Sequence, residues 1–265
     1  MTIPQALTIA GSDSGGGAGI QADIKTMQMR GVFATSVITA ITAQNTCGVN
    51  HIEMTSTASV RAQIAAIAAD FTIRAHKIGM LGTANMIACV AASLRDCNFG
   101  ALVLDPVMIS KGGAPLLQSD AIAALKHELL PRATLITPNL PEAGELLGRP
   151  VVTRDEMPQA AADLLALGCR AVLLKGGHLA DGHSDDLLLT ADGTTWLTAA
   201  RHPTQNTHGT GCTLSAAITA GLAKGLPLDA AVREAKDYIN AAITAADRLH
   251  VGHGHGPLHH FYRWW

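Results

Sequence analysis

Strand-like apolar runs alternate with amphipathic helical runs through most of this chain, and that alternation restricts the fold more than any other feature. "ALTIAG" (residues 6–11) leads through a glycine-rich loop into "IQADIKTMQMRG". "SVITAITAQN" (36–45) is followed by "SVRAQIAAIAADF", and "HKIGML" (76–81) by "NMIACVAASLRD". "ALVLDPV" (101–107), "AIAALKHELL", "TLITPN" (134–139), "AADLLALG" and "AVLLKGG" (171–177) continue the pattern. Strands joined by helices pair in parallel through right-handed crossovers, which place helices on both faces of the sheet. The sequence therefore reads as α/β, a doubly wound and mostly parallel sheet. "DDLLLTADGTTWLTAARH" departs from the pattern, because Asp192-Gly193 between two β-like runs predicts an antiparallel hairpin at the sheet edge. Two more helices are expected, at about 211–224 and 228–249. No repeat, low-complexity tract or linker breaks residues 1–265, which are read as one domain.

The composition excludes several function classes. With a formal net charge of -2 and a sequence pI near 6.6, the chain offers no basic surface for nucleic acid. No window supplies the ~18 apolar residues that a membrane span needs. The start "MTIPQALTIAG" has neither a cationic segment nor a small-residue cleavage site, so a cytoplasmic protein is expected. The 5 cysteines are scattered without a Cys-x-x-Cys pair, which argues for free thiols over a disulfide framework or a structural zinc site.

Ligands of such sheets bind beyond the carboxyl ends of the strands, so the residues after each run carry the functional signal. "SDSGGGAG" (12–19) follows the first run. A dinucleotide fingerprint would need a third glycine where Ile20 stands, and a P-loop would need a Gly-Lys pair that the chain lacks. The loop is either a ligand-approaching turn or an ordinary strand-to-helix connection. Asp105 ends the fourth run, and Asn139 and Glu142 lie just beyond the fifth. Carboxylates at strand ends suit Mg2+, which takes few protein oxygens and keeps its waters. Glu142 equally suits the first turn of a helix beginning near Pro141. Lys175 could meet a phosphate or stand solvated.

"HGTGCT" (208–213) precedes an apolar helical run. Gly209 and Gly211 permit backbone angles that let successive amides converge, and a helix N-terminus behind them makes an anion hole. Cys212 at that helix start is expected to have a lowered thiol pKa and to act as base or nucleophile. The competing expectation is a small residue packing the first turn.

Together these segments resemble the ribokinase superfamily and, within it, the hydroxymethylpyrimidine kinase / hydroxymethylpyrimidine phosphate kinase family of thiamine biosynthesis. The resemblance runs in order through "AGSDSGGGAGIQAD" (10–23), "TAQNT" (42–46), "KIGML" (77–81), "LDPVM" (104–108), "TPNLPEA" (137–143), "LLKGGH" (173–178), "HGTGCT" and "HGHGPLHHF" (253–261). It implies a ribokinase-like fold and ATP-dependent phosphorylation of 4-amino-5-hydroxymethyl-2-methylpyrimidine, then of its monophosphate. Asp23 and Gln44 match positions that hold the pyrimidine, and Met80 and Val107 fall among the substrate contacts. Lys175, Asn139 and Asp105 match the nucleotide side, and Glu142 with Asp105 the Mg2+ site. Gly209, Thr210 and Gly211 match the anion hole and Cys212 the base, where sugar kinases of the superfamily place aspartate. A homodimer is expected on the same ground. The alternatives are a pyridoxal or pyridoxine kinase and a nucleotide-binding regulator without turnover. The histidines of "HVGHGHGPLHHF" (250–261) lack helical spacing and an accompanying carboxylate, so no metal site is expected there.

Overall fold

The computed structural model describes residues 2–109, 116–118, 120–179 and 184–265. In chain order its strands are β1 (Gln5–Asp13), β2 (Phe33–Asn45), β3 (Gly48–Met54), β4 (Ile73–Ile78), β5 (Ala101–Leu104), β6 (Leu135–Ile136), β7 (Val172–Leu174), β8 (Asp186–Thr190) and β9 (Gly193–Leu197). They form a single 9-stranded sheet in the order β3-β2-β1-β4-β5-β6-β7-β8-β9. Every pairing from β2 across to β7 is parallel. The β8–β9 hairpin closes one edge in antiparallel fashion, with Thr190 opposite Gly193, as the Asp-Gly signal predicts.

The other edge is antiparallel too, and the sequence pattern did not reveal it. β3 pairs with the end of β2 between Ala40 and Asn45. Its residues "GVNHIEM" carry Asn50, His51 and Glu53 on a largely solvated ribbon, so no apolar run marks it. The helical region after residue 120 also departs from a regular helix. A short α4 (Ala121–Ala124) passes into a π turn (Leu125–Leu129) and a 3-10 turn (Leu130–Arg132), where Pro131 cannot continue the ladder.

The remaining helices are α1 (Gly19–Met29), α2 (Thr57–Asp70), α3 (Ala84–Ser93), α5 (Leu140–Leu147), α6 (Met157–Leu165), α7 (Thr210–Ala223) and α8 (Leu228–Thr244). Side-chain alternation along the strands divides the core between the two faces. On β5, Leu102 and Leu104 pack toward α2–α6, while Val103 packs toward α7 and α8. β7 repeats this with Val172 and Leu174 against Leu173. α7 is buried along nearly its whole length, because Ala216, Ala217, Ala220 and Gly221 let the sheet, α1 and α8 approach it from different sides. At Gly221 a β-carbon would sit only 2.8 Å from that of Ala231 on α8, so the helix crossing depends on its absence.

The chain leaves β1 toward β2 on one side and returns to β4 on the other. That reversal opens a crevice at the carboxyl ends of the parallel strands. Asp13, Met80, Asp105, Asn139 and Lys175 all end or follow strands at this edge.

Candidate active site

Asp105 is the hub of the crevice. The residue is buried, and its backbone amide bonds Ile78 O at the end of β4. Thr137 Oγ1 and Lys175 Nζ each donate to Oδ1 at 3.1 Å, and Ser215 Oγ donates to Oδ2 at 3.2 Å. Burial works against the charge, but the Lys175 and Lys77 ammonium groups hold this carboxyl below its ordinary value. Lys175 Nζ also lies 3.9 Å from Glu142 Oε2.

Glu142 and Asn139 form a capping box at the start of α5. Asn139 Oδ1 accepts from the Glu142 amide, and Glu142 Oε2 accepts from the Asn139 amide, both at 2.8 Å. The first-turn role expected for Glu142 is therefore present. It does not exhaust the residue, because burial, with the charge of Asp105 set against the pull of Lys175, pushes the Glu142 carboxyl up to about 7. A buried acid so placed favours an arriving cation.

The loop expected to form an anion hole faces this cluster. Gly209 occupies the N-cap position of α7 in the left-handed conformation (φ 81), and no side chain caps the helix. A β-carbon on Gly209 would overlap the carbonyl oxygen of Gly17. One on Gly211 would lie 3.3 Å from Lys175 Nζ and 3.6 Å from Asp105 Oδ2. Glycine at 209 thus meets both a backbone angle and a close approach, and glycine at 211 leaves room beside the lysine. Thr210 turns its hydroxyl back to Thr207 O at 2.7 Å, and its amide also bonds that oxygen, at a longer 3.3 Å.

Cys212 overturns one expectation. Its thiol is not lowered: burial pushes it up to about 11, and the charges of Asp23 and Asp105 add to that, against Lys77 and a hydrogen bond from the Gly19 amide. The helix N-terminus is real, but desolvation and two nearby carboxylates outweigh it.

The glycine-rich loop resolves in favour of a self-contained turn. Asp13 Oδ1 accepts from Gly15 N at 2.8 Å, and Oδ2 accepts from Gly17 N at 3.0 Å and Ala18 N at 2.8 Å. Those amides are spent on the protein's own carboxylate. His208 Nε2 reaches the same Oδ2 at 2.9 Å and Gln44 Nε2 at 3.3 Å. The sequence reading singled out neither Asp13 nor His208. An aspartate before a glycine triplet signals a side-chain-to-amide turn, but its partner 195 positions away carries no local signal.

The remaining site candidates fall around these clusters. Asp23, on α1, is fully buried against Lys77 and Thr8, behind the cleft. Gln44, half-buried, ends β2 beside Ser14 and His208. Met80 is buried under Gly11, and half-buried Val107 folds back on Asp105 through its amide. The C-terminal histidines are tied to the chain individually: His260 to Thr213, His259 to Trp265 O, His255 to Gln205 O. Among the described residues no group of three or more His, Cys, Asp or Glu side chains could hold a metal ion, and no helix is long and apolar enough to cross a membrane.

A family model for phosphomethylpyrimidine kinase matches residues 13–259, nearly the whole of this cleft and its scaffold. The chain belongs to that family. The hydroxymethylpyrimidine/phosphomethylpyrimidine kinase of Haemophilus influenzae is 55% identical over 263 residues, covering 98% of this chain and 97% of that protein. A thiamine biosynthesis bifunctional protein of Geobacter sulfurreducens is 48% identical over 254 residues, 96% of this chain and 51% of that protein. The solved structure of pyridoxal kinase from Staphylococcus aureus in complex with ADP matches with a TM-score of 0.91 at 32% identity, covering 100% of this chain and 96% of that one. The mostly parallel sheet with its edge hairpin is the ribokinase-like architecture of these kinases.

Proposed function

We propose that the chain transfers the γ-phosphoryl group of ATP to the hydroxymethyl oxygen of 4-amino-5-hydroxymethyl-2-methylpyrimidine, and then phosphorylates the monophosphate to the diphosphate, for thiamine biosynthesis. The observation that carries the reading is the relative 55% identical over 98% of the chain, which bears both activities in its name. The geometry supports it. No side chain caps the first turn of α7, where Gly209, Thr210 and Gly211 form the anion hole for charge developing on the transferred group, the Thr210 amide leaving its long bond to Thr207 O, and Lys175 stands beside it as a phosphate contact. Asn139 and Asp105 lie on the nucleotide side, with Gln44, Met80 and Val107 around the pyrimidine. Asp23 supports the pyrimidine site from behind.

The donor chemistry fits Mg2+. Asp105 and Glu142 are two carboxylates reaching one lysine, and Glu142 is short of positive charge. These two residues would hold the ion, which neutralises phosphate charge and orients the phosphates when bound. In the reaction a bond forms from the hydroxymethyl oxygen to phosphorus, the bond to ADP breaks, and the hydroxyl proton passes to the Cys212 thiolate. Because burial favours the thiol, the accepting form is scarce at neutral pH. The same reading takes the protein to be a cytoplasmic homodimer acting on small molecules.

The match to a pyridoxal kinase fold keeps pyridoxal as a second acceptor. An ADP-release assay with each acceptor is the test. The reading requires a kcat/KM for the pyrimidine well above that for pyridoxal. The reverse ratio makes the chain a pyridoxal kinase, and no ADP with either makes it a binding protein.

A further inference from the structure

His208 Nε2 sits between two groups that make opposite demands on it. Asp13 Oδ2, at 2.9 Å, already accepts from the Gly17 and Ala18 amides; burial works against its charge, but His208 and the Ala18 and Gly15 amides outweigh it, so the carboxyl is held below its ordinary value. An ionised carboxylate only accepts, so His208 Nε2 carries a proton, whatever the charge of the ring. The side-chain amide of Gln44 meets that same N–H at 3.3 Å. Its other end lies 3.1 Å from Thr42 Oγ1, whose single hydroxyl proton is given to Ser12 O at 2.9 Å. An amide NH2 facing an N–H makes no bond, and its oxygen gets only a share of a hydroxyl proton for which Ser12 O is the nearer acceptor. The orientation of a glutamine amide is assigned from its hydrogen-bond network. Turned over, Oε1 takes the longer branch of a three-centre bond from the His208 N–H that Asp13 also accepts, and Nε2 donates to Thr42, so neither contact opposes two donors.

We propose that Asp13 and His208 are positioning residues that orient the Gln44 amide with its oxygen toward His208, and so decide in which order Gln44 offers an acceptor and a donor to an aminopyrimidine edge. The ligand half of this rests on the role given to Gln44 under the proposed function. With the amide fixed, one lone pair of Oε1 and the second N–H of Nε2 remain for substrate, the first suited to an exocyclic amino group and the second to a ring nitrogen. The arrangement also accounts for glycine at 17. A β-carbon there would lie 2.5 Å from His208 Cδ2, so the ring reaches Asp13 only because that side chain is missing. The first strand, the second strand and the anion-hole loop thereby meet at one imidazole nitrogen.

Two measurements on the full chain test this. Long-range 1H–15N spectra of the histidine-labelled protein should show a proton on Nε2 of His208, and a ring protonated on Nδ1 alone would overturn the relay without reference to any substrate. In steady-state kinetics His208→Ala should raise the pyrimidine KM about tenfold, the value of one lost orienting bond, with the ATP KM changed less than twofold. His208→Gln places an NH2 near the lost Nε2 and should recover most of the loss. A rise in both KM values together, or a glutamine variant no better than alanine, would overturn the positioning role and leave His208 as a loop brace. If the unaltered protein releases no ADP with the pyrimidine, the functional reading and the ligand assignment fall together, while the tautomer still decides the relay.

Discussion

Lys77 Nζ lies 2.6 Å from Asp23 Oδ1, and neither side chain has any exposure to solvent. Thr8 Oγ1 donates to the other carboxylate oxygen, also at 2.6 Å. The pair joins β4 to α1 and belongs to the charge environment of Cys212, so one contact serves both the scaffold and the chemistry. Burial raises the Asp23 carboxyl and Lys77 opposes it, and the short geometry with the added hydroxyl bond favours the ionised pair. Under the proposed function Asp23, with no exposure to solvent, acts on substrate through the position of its neighbours.

Breaking such a pair from one side strands a charge in the core, at a cost of about 3–5 kcal/mol. Lys77→Met should lower the free energy of unfolding by that order, read as an earlier urea midpoint at unchanged slope. Adding Asp23→Leu should restore part of the loss, because no charge is then left unpaired. A single variant as stable as the parent would mean that water or another cation reaches Asp23.

Glu142→Gln separates the two roles that converge on that residue. Glutamine keeps the capping box, since its side-chain oxygen can still accept from the Asn139 amide, so α5 should fold unchanged. The carboxylate beside Asp105 and Lys175 disappears. Activity should then need several-fold more Mg2+ to reach half its maximum, while the thermal midpoint stays within a few degrees. A Mg2+ titration that superposes on that of the parent would leave Glu142 as a helix cap only.

The parallel sheet and its edge hairpin were legible because burial on both faces writes continuous apolar runs, and because Asp192-Gly193 marks a tight turn. β3 was not, since a solvated edge ribbon such as His51 to Glu53 needs no apolar pattern. At the site, strand ends located Asp105, Asn139 and Lys175, and glycines located the α7 loop. Local reasoning failed where an effect depends on distant parts of the chain. The helix start argued for a lowered Cys212 thiol, but burial in the assembled cleft reverses the sign, and Asp23 and Asp105 from other parts of the chain add to it. The link from Asp13 to His208 was hidden for the same reason.

Acid should weaken the fold through two buried histidines. Burial lowers both His76 and His260 to about 4, and each is held neutral against a partner, Phe99 O and Thr213 Oγ1 respectively. In the unfolded chain they take up protons near pH ~6.5. The stability of the neutral rings is therefore complete above that pH and is lost as the pH falls toward 4, by at most about 3 kcal/mol per ring. Urea unfolding at pH 7 and pH 4.5 measures the loss, and His76→Gln should shrink it. Glu142, up at about 7, works in the opposite sense over the same range, so the histidine share is the parent's loss minus that of His76→Gln; a variant that loses as much as the parent would show that the ring is hydrated.

Under the proposed function, Cys212 decides how the proton leaves the substrate. With its thiol up at about 11, the thiolate that can accept a proton is a minor species at pH 7, favoured by Lys77 and the Gly19 amide and opposed by burial, Asp23 and Asp105. If that species is the base, kcat should climb with pH across the neutral and mildly alkaline range. A loose phosphoryl-transfer transition state acidifies the attacking hydroxyl little, so the base contributes near the lower end of the usual range, about a hundred-fold. Cys212→Ala should therefore lower kcat by about a hundred-fold with KM little changed, and should flatten the pH profile. Cys212→Asp should recover part of the rate, since a carboxylate accepts a proton without first having to lose one. Alkylation of the thiol should inactivate the enzyme, more slowly when the pyrimidine is bound. A folded Cys212→Ala variant with near-normal kcat and the parental pH profile would make the cysteine a packing residue at the first turn of α7, with solvent taking the proton.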